Sequence, residues 1–160
     1  MCSLVGWYWS VVQPAVLAHR SARVCAAAGA SVVLLGRRVA ALELLFDDLV
    51  AAGARTPAIF PMDLAGSGPD EHALLATTLE RECGRLDAIV HAAAHFSALV
   101  PMQETAIEDW ARALAVNVTA PLMMTQACIP LLKRNPQAAV VFALDDAERC
   151  AHAFWADMGQ

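Results

Sequence analysis

The feature that most restricts this chain is an alternation. Short apolar runs take turns with longer segments whose apolar residues recur at helical spacing. Ser31-Val-Val-Leu-Leu35 is one such run, set between Gly29 and Gly36-Arg37-Arg38. A strand covered on both faces reads as a continuous apolar stretch, without in-out alternation. Pro57 to Pro61, Leu86 to His91 and Ala138 to Phe142 read the same way, and Ser3 to Val12 is expected to supply a first strand. Strands of this kind lie parallel, and parallel neighbours need helical, right-handed crossovers. The pattern therefore predicts an α/β fold: an open, doubly wound parallel sheet of about five strands with helices on both faces.

The intervening segments supply those helices. Ala15 to Ala28 is alanine-rich and ends at Gly29. Val39 to Ala52 carries Leu42, Leu45, Phe46 and Leu49 on one face, with Glu43, Asp47 and Asp48 between them, and Gly53 closes it. Ser67 or Asp70 is placed to cap a helix running to about Cys83. Thr105-Ala-Ile-Glu108 has capping-box spacing and opens a long helix through Trp110, Leu114, Val118 and Leu122 to Leu132.

Composition narrows the function classes. The chain has 160 residues, enough for one ordinary domain over 1–160, and no linker divides it. Eleven Lys+Arg face sixteen Asp+Glu, a net charge of −5, which excludes nucleic-acid binding driven by charge. The 58% apolar share is inflated by alanine. The longest greasy stretch, Val24 to Gly36, is shorter than the roughly 20 residues of a membrane span. The start, MCSLVGWYWS, lacks the basic region of a signal peptide. Five Cys without a CxxC pair read as reduced thiols. The expectation is a soluble cytoplasmic protein that engages neither membrane nor nucleic acid.

Other constellations are weak. His91-Ala-Ala-Ala-His95 has the spacing of a helical zinc pair, but it begins at a strand end and enters a loop, so no metal site is expected. Cys150 and His152 are near each other in sequence without further nucleophile machinery. Asp145-Asp-Ala-Glu148 reads as a solvated acidic loop. Trp7-Tyr8-Trp9 fits poorly within a central parallel strand.

Four stretches together resemble the short-chain dehydrogenase/reductase family. They are Ala27-Ala-Gly-Ala-Ser-Val-Val-Leu-Leu-Gly-Arg-Arg38, Met62-Asp-Leu64, Leu86-Asp-Ala-Ile-Val-His-Ala-Ala-Ala94, and Trp110 to Leu132 with Val116-Asn-Val-Thr-Ala120 inside it. They cover about 22–142 in the family's order. The resemblance implies a Rossmann-like fold and NADP-dependent hydride transfer between nicotinamide and a small carbonyl or alcohol substrate. It implies cofactor contacts from Arg37, whose guanidinium suits a 2′-phosphate, from Asp63 and Leu64 near the adenine, and from Ala92 and Ala93. It implies a catalytic part for Asn117, which bends the long helix and holds a water of the proton relay.

The departures concentrate at the chemistry. Counting back from Gly29-Ala30 puts the family's first-turn glycines at Val12, Val16 and Ala18; Gly6 serves only with a six-residue insertion. The family's Asn-Asn-Ala-Gly is His91-Ala92-Ala93-Ala94 here. Its Ser and Tyr positions fall at Asp145 and Met158, and its Lys position beyond Gln160; the chain's own Tyr8 and Lys133 lie elsewhere. Methionine has no transferable proton. Two expectations stand side by side: an NADP-dependent oxidoreductase, or a non-catalytic remnant or interaction module of the same fold, from a truncated or altered reading of a longer gene. With the family's C-terminal strands missing, the fifth strand is expected to be an exposed edge. The long helix is expected to show an apolar face that admits a homo-oligomer.

Overall fold

The computed structural model describes residues 2–6, 14–96, 99–144 and 148. Five strands form one sheet: β1 (Cys2–Gly6), β2 (Ser31–Gly36), β3 (Ala58–Pro61), β4 (Ala88–His91) and β5 (Ala139–Phe142). All pair in parallel, in the order β3-β2-β1-β4-β5. The expected doubly wound sheet is present, and the strand order reverses between β1 and β4.

The helices are α1 (Pro14–Ala27), α2 (Val39–Ala51), α3 (Pro69–Cys83), α4 (Ile107–Leu114) and α5 (Ala120–Leu132). Each face of the sheet has its own core. Val32 and Leu34 of β2 meet Ala18, Ala22 and Ala26 of α1 and Leu42, Leu45 and Leu49 of α2. Val33 and Leu35, pointing the other way, meet Leu75 and Leu79 of α3 and Val116, Ala120, Met124 and Cys128 of the long helix. The unbroken apolar run of β2 thus follows from a strand buried twice, with period-two side chains feeding both cores. Burial pushes the Cys128 thiol up to about 11 and leaves it inert.

Gly29 and Gly53 end α1 and α2 at φ 83° and 78°, in the left-handed region that glycine enters without steric cost. Behind β4, the Asn135 amide donates to Asp87 at 2.6 Å, and Arg85 reaches the same carboxylate at 3.2 Å. The Ala139 N–H donates to the Asp87 carbonyl at 3.0 Å, which fixes where β5 starts. Among the described residues, β3 and β5 are the sheet edges, and Val141 and Phe142 of β5 are half exposed, as expected for that strand.

Of the expected first strand, residues 7–12 lie outside the described residues; within them β1 spans Cys2–Gly6, and Gly6 pairs with Leu35 and His91. Two expectations need correction. Neither Ser67 nor Asp70 caps α3. Gly68 is the N-cap, Pro69 occupies the first turn, and the Glu71 carboxylate accepts from the Gly68 N–H at 2.9 Å. The Thr105 capping box does not form either. A 3₁₀ turn over Met102–Glu104 delays the helix by one residue, Ala106 becomes the N-cap, and the Thr105 hydroxyl makes no hydrogen bond among the described residues.

The long helix departs from regularity once. Ala115–Thr119 is a π-helical turn between α4 and α5. Pro121, four residues on from Asn117, has no N–H to give the Asn117 carbonyl, so a regular α-helical ladder cannot pass here and the turn widens. Ile107–Leu132 as a whole is long and apolar enough to cross a membrane, though one face of it lies on the sheet.

Candidate functional site

In open α/β sheets, ligands bind beyond the carboxyl ends of the strands, where the strand order reverses. Here that place is bounded by the ends of β1 and β4, with β2 beside β1. Gly6 closes β1 between Leu35 and His91. A strand-end glycine allows backbone to approach a pyrophosphate closely. Residues 7–13 separate β1 from α1 and lie outside the described residues, with Val12 and the Trp7-Tyr8-Trp9 cluster among them. The other two positions assigned to glycines, Val16 and Ala18, fall inside α1, and Ala18 is buried against β2.

Arg37 follows the last residue of β2 and is exposed. Asp63 is exposed just past β3, where its Oδ1 accepts from the Ala65 N–H at 3.1 Å. The Leu64 side chain belongs to the core on the α3 side, which leaves its backbone to face any ligand. Ala92 and Ala93 continue β4 and point to opposite cores. Arg37, Asp63, Ala92 and Ala93 therefore lie past the carboxyl ends of their strands, on one end of the sheet. Asn117 lies on the flank of that end. Its Oδ1 accepts from the His95 N–H at 2.7 Å and its Nδ2 donates to the His95 carbonyl at 3.0 Å. The side chain clamps the loop after β4, as a strand neighbour would.

The sequence reads His91 as half of a metal pair and as the residue at the family's first Asn. In the fold its Nε2 lies 3.0 Å from the Thr125 hydroxyl, and its ring stacks on Phe142 with centroids 4.8 Å apart and planes 22° apart. Burial lowers its pKa to about 4, so the ring is neutral at physiological pH. Among the described residues, no three His, Cys, Asp or Glu are grouped to hold a metal. A surface hollow of about 450 Å³ near Arg23, Asp48 and Arg55 opens beside the amino ends of β2 and β3, away from this site. Asp145, Met158, Cys150 and His152 fall outside the described residues.

A parallel doubly wound sheet in the order β3-β2-β1-β4-β5, with helices on both faces, is a Rossmann-like fold. The chain belongs to the short-chain dehydrogenase family: the family model described as short chain dehydrogenase matches residues 15–154. Among curated proteins it is 32% identical over 127 residues to the uncharacterized oxidoreductase YciK of Escherichia coli (strain K12), covering 79% of this chain and 50% of that one. It is also 32% identical over 119 residues to the short chain dehydrogenase mpl6 of Monascus purpureus, covering 72% and 41%. The chain thus spans half or less of the length of these relatives. Among solved structures, the oxidoreductase yciK from E. coli superposes with a TM-score of 0.88 at 28% identity, covering 99% of this chain and 63% of that one. A Shigella flexneri protein assigned as a short chain dehydrogenase and solved in complex with NADP gives 0.89 at 27% identity, covering 99% and 64%.

Proposed function

We propose that this chain binds NADP(H) at the carboxyl ends of β1, β2 and β4, and that its reaction class is hydride transfer between the nicotinamide and a small carbonyl or alcohol substrate. The observation that carries the reading is the placement of Gly6, Arg37 and Asp63 at the ends of three adjacent strands. Arg37 would take the 2′-phosphate as a charge-assisted fork, and Asp63 would accept from the adenine amino group. Leu64 would offer backbone beneath the base, and Ala92 and Ala93 a close-packed floor. The nucleotide supplies the hydride chemistry when bound; Asn117 fixes the loop of His95 beside it.

A second reading is favoured by particular residues. At the places the family pattern gives to its acid/base Tyr and its Ser stand Met158 and Asp145, and His91 replaces its first Asn. A chain with these residues would bind nucleotide without turning over carbonyls, as an interaction module of the same fold. Fluorescence titration with NADPH and NADH, followed by turnover on a panel of ketones and alcohols, separates the two. Arg37→Ala is expected to weaken NADPH about tenfold to a hundredfold while leaving NADH unchanged. An equal effect on both nucleotides would remove Arg37 from the 2′-phosphate.

The partner reading follows from the long helix. Ile107, Val118, Leu122 and Ile129 are exposed along it, at spacings that share a side. We place a second copy of this chain there, in a cytoplasmic protein whose thiols Cys25 and Cys128 are free. Sedimentation should then show a dimer or larger species that Leu122→Glu dissolves. A monomer at high concentration would end this reading.

A further inference from the structure

His72 is a buried polar group that the nucleotide site does not account for. It sits in the first turns of α3, 1% exposed, beside Leu75 in the same helix. Its Nε2 lies 3.1 Å from the Ser67 hydroxyl, and that hydroxyl donates in turn to the Leu64 carbonyl at 3.5 Å. Its Nδ1 has no hydrogen-bond partner among the described residues.

These contacts select a tautomer. A proton on Nδ1 would be a buried donor without an acceptor, whereas a bare Nδ1 loses only a lone-pair contact. With the proton on Nε2, the chain runs in one direction: imidazole N–H to Ser67 oxygen, Ser67 hydroxyl to Leu64 carbonyl. Every donor meets an acceptor. The turn it ends on is held by short local bonds, Ala65 N–H to Asp63 Oδ1 at 3.1 Å and Gly66 N–H to the Asp63 carbonyl at 3.2 Å. Beside the apolar packing of Leu64 against Leu75 and Leu79, the His72 relay gives this turn a buried polar tie to α3.

We propose that His72 is a positioning residue for the adenine end of the nucleotide, acting through Ser67 to hold the Asp63–Leu64 turn after β3. The role in binding rests on the NADP(H) reading above; the latch itself does not. A second proton on His72 would force an unpartnered N–H into the core, and burial already holds its pKa below the ordinary value. Glu71, the charged neighbour that bears on it, favours the proton but does not outweigh burial. Acid therefore opens the turn, and nucleotide affinity falls once the pH drops below the lowered pKa of His72.

The test uses the full chain with Ser67→Ala, His72→Phe and His72→Gln. Amide exchange is measured without ligand, and NADPH affinity by fluorescence from pH 5.5 to 8. Ser67→Ala and His72→Phe should speed exchange at Ala65 and Gly66 about tenfold and weaken NADPH by a similar factor, the loss of one ordinary hydrogen bond. His72→Gln, whose amide can still donate to Ser67 but does not titrate, should keep both near wild type at pH 7 and lose the acid weakening. Unchanged exchange in Ser67→Ala, whose site is near the surface and whose folding is not at risk, overturns the latch. Faster exchange in a chain that shows no saturable NADPH binding sustains the latch and overturns the positioning role together with the nucleotide reading.

Discussion

Asn117→Asp should lower the stability of the fold by about 3 kcal/mol at pH 7, against about 2 kcal/mol for Asn117→Ala. The larger cost for the smaller chemical change follows from geometry. Asn117 presents an acceptor to the His95 N–H and a donor to the His95 carbonyl. Alanine leaves both backbone groups without this partner. Aspartate keeps the first bond but sets a carboxylate oxygen against the carbonyl, in a part-buried place. Protonation would restore the donor, so the folded-state pKa of the introduced Asp is raised above its unfolded value. The deficit relative to wild type should therefore shrink as the pH falls from 7 to 5. Urea midpoints at the two pH values decide the matter. A deficit that does not change with pH would show that the Asp side chain has turned away from His95.

Acid should also weaken the unmodified chain through His91. Its pKa of about 4 in the fold lies below the ordinary 6.5. Above pH 6.5 the ring is neutral in both states and the stability it permits is fully present. Below that, the unfolded chain takes up a proton that the folded chain refuses, and stability is lost until the folded ring protonates near pH 4. The loss approaches about 3 kcal/mol over that window. His72, whose pKa is also lowered, adds in the same direction. His91→Asn keeps a hydrogen-bonding side chain opposite Thr125 without a titrating group. It should flatten the dependence, and carboxylate effects common to both proteins cancel in the difference. Equal slopes for the two proteins between pH 7.5 and 4 would show that His91 is not the responsible group.

The sheet and its helices were legible because each rests on local pattern. The run Ser31 to Leu35 reads as a doubly buried strand, and the Leu42, Leu45 and Leu49 face reads as a helix that one core needs. The missing caps at Thr105 and Ser67 were not legible: spacing permits a cap there, but each helix takes its N-cap one residue later, at Ala106 and Gly68. For the candidate site, the family resemblance pointed to Arg37, Asp63 and Asn117. It said nothing about what holds them, since those partners are distant in the chain: His95 is 22 residues from Asn117, and Thr125 is 34 from His91. One signal was there to be used. A proline four residues after Asn117 announces the widened turn without any structure.

The strand order has a consequence for how the molecule comes into being. The central strand is made first, yet one of its two neighbours is made late: Ser3 pairs with Ala88, and Gly6 with His91. A nascent chain that has emerged only as far as α3 holds β1 and β2 with one flank unclaimed. The junction between β1 and β4 is thus assembled only once Ala88–His91 has emerged. Such long-range parallel pairing is intrinsically slow and leaves strand edges exposed in the interval. The place where the strand order reverses is the last part of the sheet's centre to form, and the edge of β1 stays open until then.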